Sequence, residues 1–419
     1  MLSFSGEQSV GMDERQPPSP RLAPVQLEDC IEELLKFTLT SAVDGTLGVD
    51  IGLSKHYCSN LLKEDPDSPC PDTSVLSEGV PPYPLYKRLA ASLWQCISSR
   101  AFCRTHNKMA SIDEDNSWKQ KEDEWNKLIL QHGSELLNIL KIMDFEVHVQ
   151  EPFFTQLKDG QKTVEGRCAL GDYTRIGSRS LILFNKCLVL QVQDVHWYAT
   201  FHEMLEAESL VKVLPGVGTI EEGVQVYRKF YSEDKERSNG VLAFYMKCHL
   251  TICLEDDLCI WYPDRANSES KLDGNGFGYE GVQRLLGFVH TVGTVPEALP
   301  PPRSTLLSSF LLPHNPDIKG STLTDGTRAL AKHVNRSGGR YWGTFRGSDS
   351  DKNNLAVDAI GNLLAHSCWL NMHIVSPHGV VFEIRVSDGY GARWSEDGTQ
   401  FIGFLEPYSA DGHLKGWKH

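Results

Sequence analysis

FFTQLKDGQKTVEGRCALGDYTRIGSRSLILFN, residues 153–185, is the stretch on which the fold of this chain turns. It opens as a short helix that stops at Gly160, where a left-handed cap needs a residue without a Cβ. KTVEGRC and SLILFN then read as strands. Within the first, Gly160, Lys162, Glu165 and Arg167 spell G-x-K-x-x-E-x-R. Strict alternation over 162–168 puts Lys162 on the face opposite Glu165 and Arg167. A barrel bend or bulge would bring all three to one mouth. Between 155 and 190 the bases Lys158, Lys162, Arg167, Arg175, Arg179 and Lys186 outnumber the acids Asp159, Glu165 and Asp172. The chain as a whole carries −14, so this is a basic site on an acidic body, suited to phosphate-bearing ligands. The competing reading is a solvated edge strand with a surface ion pair.

Working outward, Phe145, Val147 and Val149 alternate with polar residues as a half-buried strand does. LVLQVQDV (188–195) and GVLAFYM (240–246) are further strands. Two helices interrupt them: ATFHEMLEAE (199–208), and one opening at Thr219, whose spacing to Glu222 fits a capping box. Short strands with few helices predict a small β-barrel over 144–248.

Residues 25–143 read as a helical region. Leu27, Ile31, Leu34 and Leu35 share one helix face, and Leu85, Leu89, Leu93 and Ile97 share another that opens at Pro84. About 40 residues rich in Pro, Asp and Ser separate them and read as a loop. A third helix starts near Ser117, with Trp118, Trp125, Leu128, Ile129, Leu136 and Leu140 inward. Residues 1–24 are polar, Pro/Ser-rich and expected to be disordered. Residues 249–320, with ANSESKLDGNG and PEALPPPR, read as a linker with partial structure. Residues 321–419 read as a small α+β domain: a helix over DKNNLAVDAIGNLLAHS, strands at WLNMHIV and VVFEIRV, then QFIGFLEP. The fold class expected is therefore α+β and multidomain, with the barrel flanked by a helical layer and a C-terminal α+β domain.

Composition bounds the function classes. The chain has 419 residues, with 40% hydrophobic and 23% charged, the range of soluble globular proteins. No apolar run reaches the ~18–20 residues of a membrane span. The N-terminal sequence lacks the apolar core of a secretory signal. Eleven cysteines without even spacing fit reduced thiols in the cytoplasm or nucleus.

Residues 145–248 resemble the ASCH domain, a PUA-like β-barrel related to RNA-binding modules. The matching features are Gly160, Lys162, Glu165 and Arg167, the strand after Gly177, and the helix–strand ending GVLAFYM. The resemblance implies a cleft beside the barrel that binds RNA or a nucleotide, lined by these residues. A few small members hydrolyse the amide of N4-acetylcytidine, with a Thr where this chain has Glu165 and a separate downstream Glu. Here only Thr163, Glu203, Glu206 and Glu208 are on offer, so the hydrolytic set does not map. Nor is the zinc finger of the activating signal cointegrator proteins, for which the domain is named, evident.

Other motifs carry less. Cys248, Cys253 and Cys259 lack a fourth ligand at zinc spacing and read as structural thiols. HEMLE (202–206) has Glu206 where a zincin has its second His, so His202 and Glu203 read as solvated helix residues. Gly276, Gly278 and Gly281 match G-x-G-x-x-G without the buried strand a dinucleotide fold requires, and read as a flexible loop. The C-terminal segment gathers Arg393, Trp394, Asp411, His413, Trp417 and His419 among glycines, either a stacking and phosphate site or turns with Trp packed beneath. It resembles uncharacterised C-terminal regions.

The expectation is thus a non-enzymatic RNA-binding protein without metal or cofactor. Lys162, Glu165 and Arg167 form its site, Arg175 and Arg179 add field, and Tyr173 and Trp197 stack on single-stranded or unpaired nucleotides. The alternatives are a protein-interaction scaffold or transcriptional coregulator, with partners on the helical N-terminus, and an amidohydrolase acting on an acetylated nucleoside.

Overall fold

The computed structural model describes residues 26–47, 50–65, 78–102, 116–247, 277–315, 317, 322–334 and 341–407. They divide into two compact units, one of residues 138–247 and one of 27–137 together with 277–407.

The chain begins with α1 (Leu27–Asp44), α2 (Lys55–Leu62) and α3 (Leu85–Ser99). Ile31, Leu34 and Leu35 of α1 and Leu85, Leu89, Leu93 and Ile97 of α3 are buried, as their spacing predicts. α2 lies inside the stretch expected as a loop. Ser54 caps it by accepting from the Tyr57 N–H, and Tyr57, Cys58 and Leu61 turn inward. Two turns of apolar face are too short to register as a period. α4 (Asn116–Leu128) passes through one π turn at 129–133 into α5 (Ser134–Lys141), burying Trp125, Leu128, Ile129, Leu136 and Leu140.

The smaller unit holds β1 (Phe145–Val147), α6 (Phe153–Lys158), β2 (Val164–Cys168), β3 (Leu181–Phe184) and β4 (Leu188–Tyr198). Then come α7 (Phe201–Glu208), α8 (Leu210–Val213), α9 (Ile220–Arg228), α10 (Glu233–Asn239) and β5 (Val241–Lys247). The capping box at Thr219 is made in full, by both Thr219 and Glu222. The sheet order is β1-β3-β4-β5-β2, with β1 parallel to β3 and the other pairs antiparallel. β1 and β2 remain its two edges, so the sheet is a curled half-barrel, not the closed barrel expected. An irregularity in β4 between Val192 and Asp194 accompanies the curl. Helices stand over one face of the sheet: Phe201, Met204, Leu205 and Tyr227 pack on Val164, Cys168, Val241 and Ala243.

In the larger unit the chain continues with α11 (Gly278–Leu285), α12 (Arg303–Phe310), α13 (Asp325–Val334) and α14 (Asp349–His366). A meander follows: β6 (Trp369–Val375), β7 (Gly379–Arg385), β8 (Gly391–Ser395) and β9 (Phe401–Leu405). Leu370, Met372, Phe382, Ile384, Ala392, Trp394 and Phe404 form its buried apolar face. Asn371, His373, Glu383, Arg385 and Arg393 lie on the opposite one, as the register and alternation require.

Three expectations change here. The N-terminal helices are not a layer of their own. The Gly79 and Val80 N–H groups donate to the carbonyls of Ser367 and Leu364, the Tyr83 hydroxyl donates to the Pro300 carbonyl, and Arg303 donates to the Val80 carbonyl. The described part of 249–320 is also more than a linker. It contains α11 and α12, and Val289 and Val295 donate to Leu370 and Met372 of β6. Gly278 and Gly281 sit in α11 and not in a loop. The cysteine trio, Gly276, Asp411, His413, Trp417, His419 and the first 24 residues fall outside the described residues. Among the described residues no helix is long and apolar enough to cross a membrane.

Candidate functional site

All five residues of β2 are buried, Glu165 and Arg167 included. A charge placed there must be paired or it destabilises the fold. The strand starts only at Val164, so strict alternation does not bind Lys162. Its side chain reaches Glu165 from the preceding loop, with Nζ 3.0 Å from Oε2. Arg167 approaches from the other side, with Nε 2.8 Å from Oε1. G-x-K-x-x-E-x-R is therefore one buried cation–carboxylate–cation triad.

The triad is held tightly. The Lys162 ammonium also donates to the carbonyls of Val164 (2.8 Å) and Val213, so each of its three N–H bonds has an acceptor. Arg167 Nη2 donates to the His148 carbonyl at 2.6 Å, and its guanidinium lies 5.7 Å from the Tyr173 ring. Burial would raise the Glu165 carboxyl, but the two cations outweigh it and hold it below the usual carboxylate range. Burial pushes the Lys162 ammonium down, with Glu165 opposing. The Arg167 guanidinium is raised, since Glu165 more than offsets its burial.

These groups form part of the lining of a cavity of about 320 Å³. Aromatic side chains supply much of the rest: Phe153 from α6, and Tyr227, Phe230 and Tyr231 from the end of α9 and the residues after it. Their i, i+3, i+4 spacing sets the last three on one side of the chain. Gly166 allows the approach, because a Cβ there would fall 2.6 Å from the Tyr227 hydroxyl. Arg167 Nε faces the Glu165 carboxylate at 2.8 Å, and the Tyr231 hydroxyl, also in the lining, interacts with the Arg167 guanidinium. The cavity thus offers flat apolar walls and a charged, polar end.

The residues singled out in the sequence separate into two groups. Lys162, Glu165 and Arg167 line the cavity. Tyr173 stands behind Arg167, only 2% exposed, and presents no open face for stacking. Arg175, Arg179 and Trp197 are exposed and do not line it. Arg175 lies 3.5 Å from Asp172, and the Trp197 ring covers Gly240, where φ is +75° and a Cβ would fall 2.5 Å from the ring. His202 and Glu203 are exposed helix residues as expected. Glu208 is buried outside the cavity lining, accepting from the Tyr198 and Tyr245 hydroxyls with His196 Nδ1 3.0 Å away. The aromatic wall was missed, although Tyr227, Phe230 and Tyr231 were there to be read as a stripe.

Residues 147–248 match the sequence profile of the ASCH domain. Residues 147–248 are an ASCH domain. Two solved structures are similar to this part. The hypothetical protein PH0355 is 40% identical over 24% of this chain and 95% of its own, with a TM-score of 0.24. The protein PF0455 from Pyrococcus furiosus is 42% identical over 24% of this chain and 94% of its own, with a TM-score of 0.23. The cavity and its ion triad lie inside the ASCH domain. Outside it, residues 314–406 match a second profile, that of the CdiA C-terminal tRNase toxin domain. No curated protein matches the chain.

Proposed function

We propose that the ASCH domain binds RNA by admitting the base of one unstacked nucleotide into the aromatic cavity. The observation that carries this reading is the cavity itself: about 320 Å³, walled by Phe153, Tyr227, Phe230 and Tyr231, with the buried Lys162–Glu165–Arg167 triad at one end. That volume is at the small end of ligand pockets, which run from about 300 to 1,000 Å³, and suits a base or nucleoside. Single-stranded RNA is recognised by such capture, with stacking on aromatic rings and hydrogen bonds to base edges. The Tyr231 hydroxyl is the lining group left to read that edge. Lys162, with all three N–H bonds occupied, holds Glu165 in place and does not grip phosphate. Arg175 and Arg179 remain outside for the backbone. The buried thiols of Cys30, Cys58, Cys96, Cys168, Cys187 and Cys368, none in a disulfide, suit the reducing cytoplasm or nucleus.

The cavity binds and does not hydrolyse. A protonated Lys162 with three acceptors has no lone pair to take a proton, and Glu165 replaces the hydroxyl of the hydrolytic relatives. The test is anisotropy of short single-stranded RNA on the full chain. Phe230→Ala should weaken binding at least fivefold, since base–aromatic stacking is worth about 1–3 kcal/mol. Val226→Trp, filling the cavity from a half-buried lining position, should abolish it. Unchanged affinity in folded forms of both variants would end the reading.

A second reading concerns the C-terminal region. The match of residues 314–406 to a tRNase toxin domain favours a module that cleaves RNA, tRNA in the first instance. Incubating the full chain with unfractionated tRNA and resolving the products on a denaturing gel tests it.

A further inference from the structure

The polar face of the second sheet carries a cluster that base capture by the ASCH domain leaves unused. Register sets Asn371, Glu383 and Arg393 in one row across β6, β7 and β8. His373 and Arg385 flank that row on the same face. Glu383 is the hub. Its Oε2 accepts from Arg393 Nε at 2.9 Å and Nη2 at 2.5 Å and lies 3.2 Å from His373 Nε2, while Oε1 accepts from Arg385 Nε at 2.7 Å. Asn371, fully buried, is fixed by Thr291 and Thr294. Trp369 meets the His373 ring edge-on at 5.9 Å. Glu383 and Arg393 are buried, whereas His373 and Arg385 are partly open to solvent. As a purely structural device, a carboxylate with two guanidiniums and an imidazole stabilises no better than apolar residues would. The same groups are the set that phosphodiester chemistry needs: a carboxylate, an imidazole and fixed cations.

We propose that Glu383, His373, Arg385 and Arg393 form the centre of a metal-independent ribonuclease. The proposal rests on the reading of residues 314–406 as an RNA-cleaving module and assigns its catalytic residues and reaction. The scissile phosphate competes with Glu383 for the two guanidiniums, which then hold its non-bridging oxygens. Freed of its counterions, the Glu383 carboxylate takes the proton of the adjacent 2′-hydroxyl. The 2′-oxygen forms a bond to phosphorus, and the bond from phosphorus to the 5′-oxygen breaks. His373 gives a proton to the departing 5′-oxygen. The products are a 2′,3′-cyclic phosphate and a 5′-hydroxyl. The proton left on Glu383 returns to His373, whose Nε2 lies 3.2 Å from Oε2, so the net change is one proton moved from the 2′- to the 5′-oxygen, and no water, metal or cofactor is consumed. Trp369, beside His373, is placed to stack on a base next to the cleaved bond.

The experiment incubates the full chain with unfractionated tRNA in excess EDTA and analyses rates and end groups. Expected are fragments with 2′,3′-cyclic phosphate and 5′-hydroxyl ends, and a loss of about 10²–10⁴-fold in His373→Ala. Glu383→Gln should lose at least as much, but it strands two guanidiniums and can fail to fold. His373→Ala therefore decides, provided hydrogen exchange in β6–β8 is unchanged. If the wild type cleaves but His373→Ala keeps its rate, the assignment falls and the nuclease reading stands. If the wild type cleaves no RNA, both fall. Products with 3′-hydroxyl and 5′-phosphate ends, or activity abolished by EDTA, would overturn the mechanism.

Discussion

Replacing Glu165 by Gln removes one negative charge from between two buried cations. Lys162 and Arg167 lie 3.0 and 2.8 Å from the carboxylate, and their side chains are only 1% and 8% exposed. Breaking a buried ion pair from one side costs about 3–5 kcal/mol, because the remaining charge has no solvent to turn to. Lys162 retains two carbonyls, and Arg167 retains one. The lower end, about 3 kcal/mol, is therefore the reasonable figure. At roughly 1.4 kcal/mol per factor of ten, amides of β2 and β5 should exchange about 10²-fold faster. Hydrogen–deuterium exchange of the full chain reads this strand by strand, without cutting the units apart. A compensated variant, Lys162→Met with Glu165→Leu and Arg167→Met, should regain most of the protection, since apolar replacement of a buried ion group is often neutral. It should still bind no RNA. Protection unchanged in Glu165→Gln would show that the triad is not a closed electrostatic unit, and the argument for base capture would lose its floor.

Raising salt from 50 to 200 mM should weaken RNA binding only about sevenfold. With Lys162 and Arg167 committed to Glu165, about two phosphate contacts remain, and the log–log slope should be near −1.4. A slope steeper than about −4 would refute base capture. Gly240→Ala should destabilise the smaller unit by about 1–2 kcal/mol or more, through its positive φ and the overlying Trp197 ring. Adding Trp197→Ala should relieve the overlap and leave the φ penalty, which denaturant titration can separate. Glu383 is held down at about 2 by His373, Arg385 and Arg393 in spite of its burial. The unfolded carboxyl takes its proton nearer 4.5, so this stabilisation, about 3 kcal/mol, is complete above pH 5 and is lost as pH falls from about 4.5 to about 2. Exchange in β7 should accelerate over that window in the wild type, and Glu383→Gln should remove the Glu383-linked part of the pH dependence.

Periodicity carried much of the fold. The leucine faces of α1 and α3, the strands around GRC and GVLAFYM, the Thr219 capping box and the helix before β6 all lie in local sequence, within one or two turns. What stayed hidden is long-range. Nothing local says that Arg303 will donate to Val80, or that the residues before β6 will pair with it. β8, GARWS, is short and glycine-flanked, and it read either as a stacking and phosphate site or as turns with Trp packed beneath. Its Arg393 and Trp394 prove to point to opposite faces, Trp394 donating to the Leu306 carbonyl in the core. In the ASCH site the motif residues were legible because a basic, glycine-led strand is unusual. Their burial was not, since that depends on helices that follow 30 to 70 residues later. The basic field expected at Lys162 and Arg167 is cancelled locally by Glu165, and only the tertiary fold brings that carboxylate between them.

The order of the units along the chain sets a clock for synthesis. The smaller unit, residues 138–247, interrupts the larger one, whose halves are 27–137 and 277–407. A ribosome delivers the smaller unit whole, so it can fold as soon as β5 emerges. The N-terminal helices meet a different fate. Val80 waits for Arg303, 223 residues downstream. At about 5–20 residues per second that gap lasts roughly 10–45 s. For that interval the surfaces of α1–α3 destined for the C-terminal residues stand open, although the smaller unit is already complete. The nascent chain is then at its most exposed to chaperones and to aggregation, and a slower stretch of translation after 247 would lengthen that exposure.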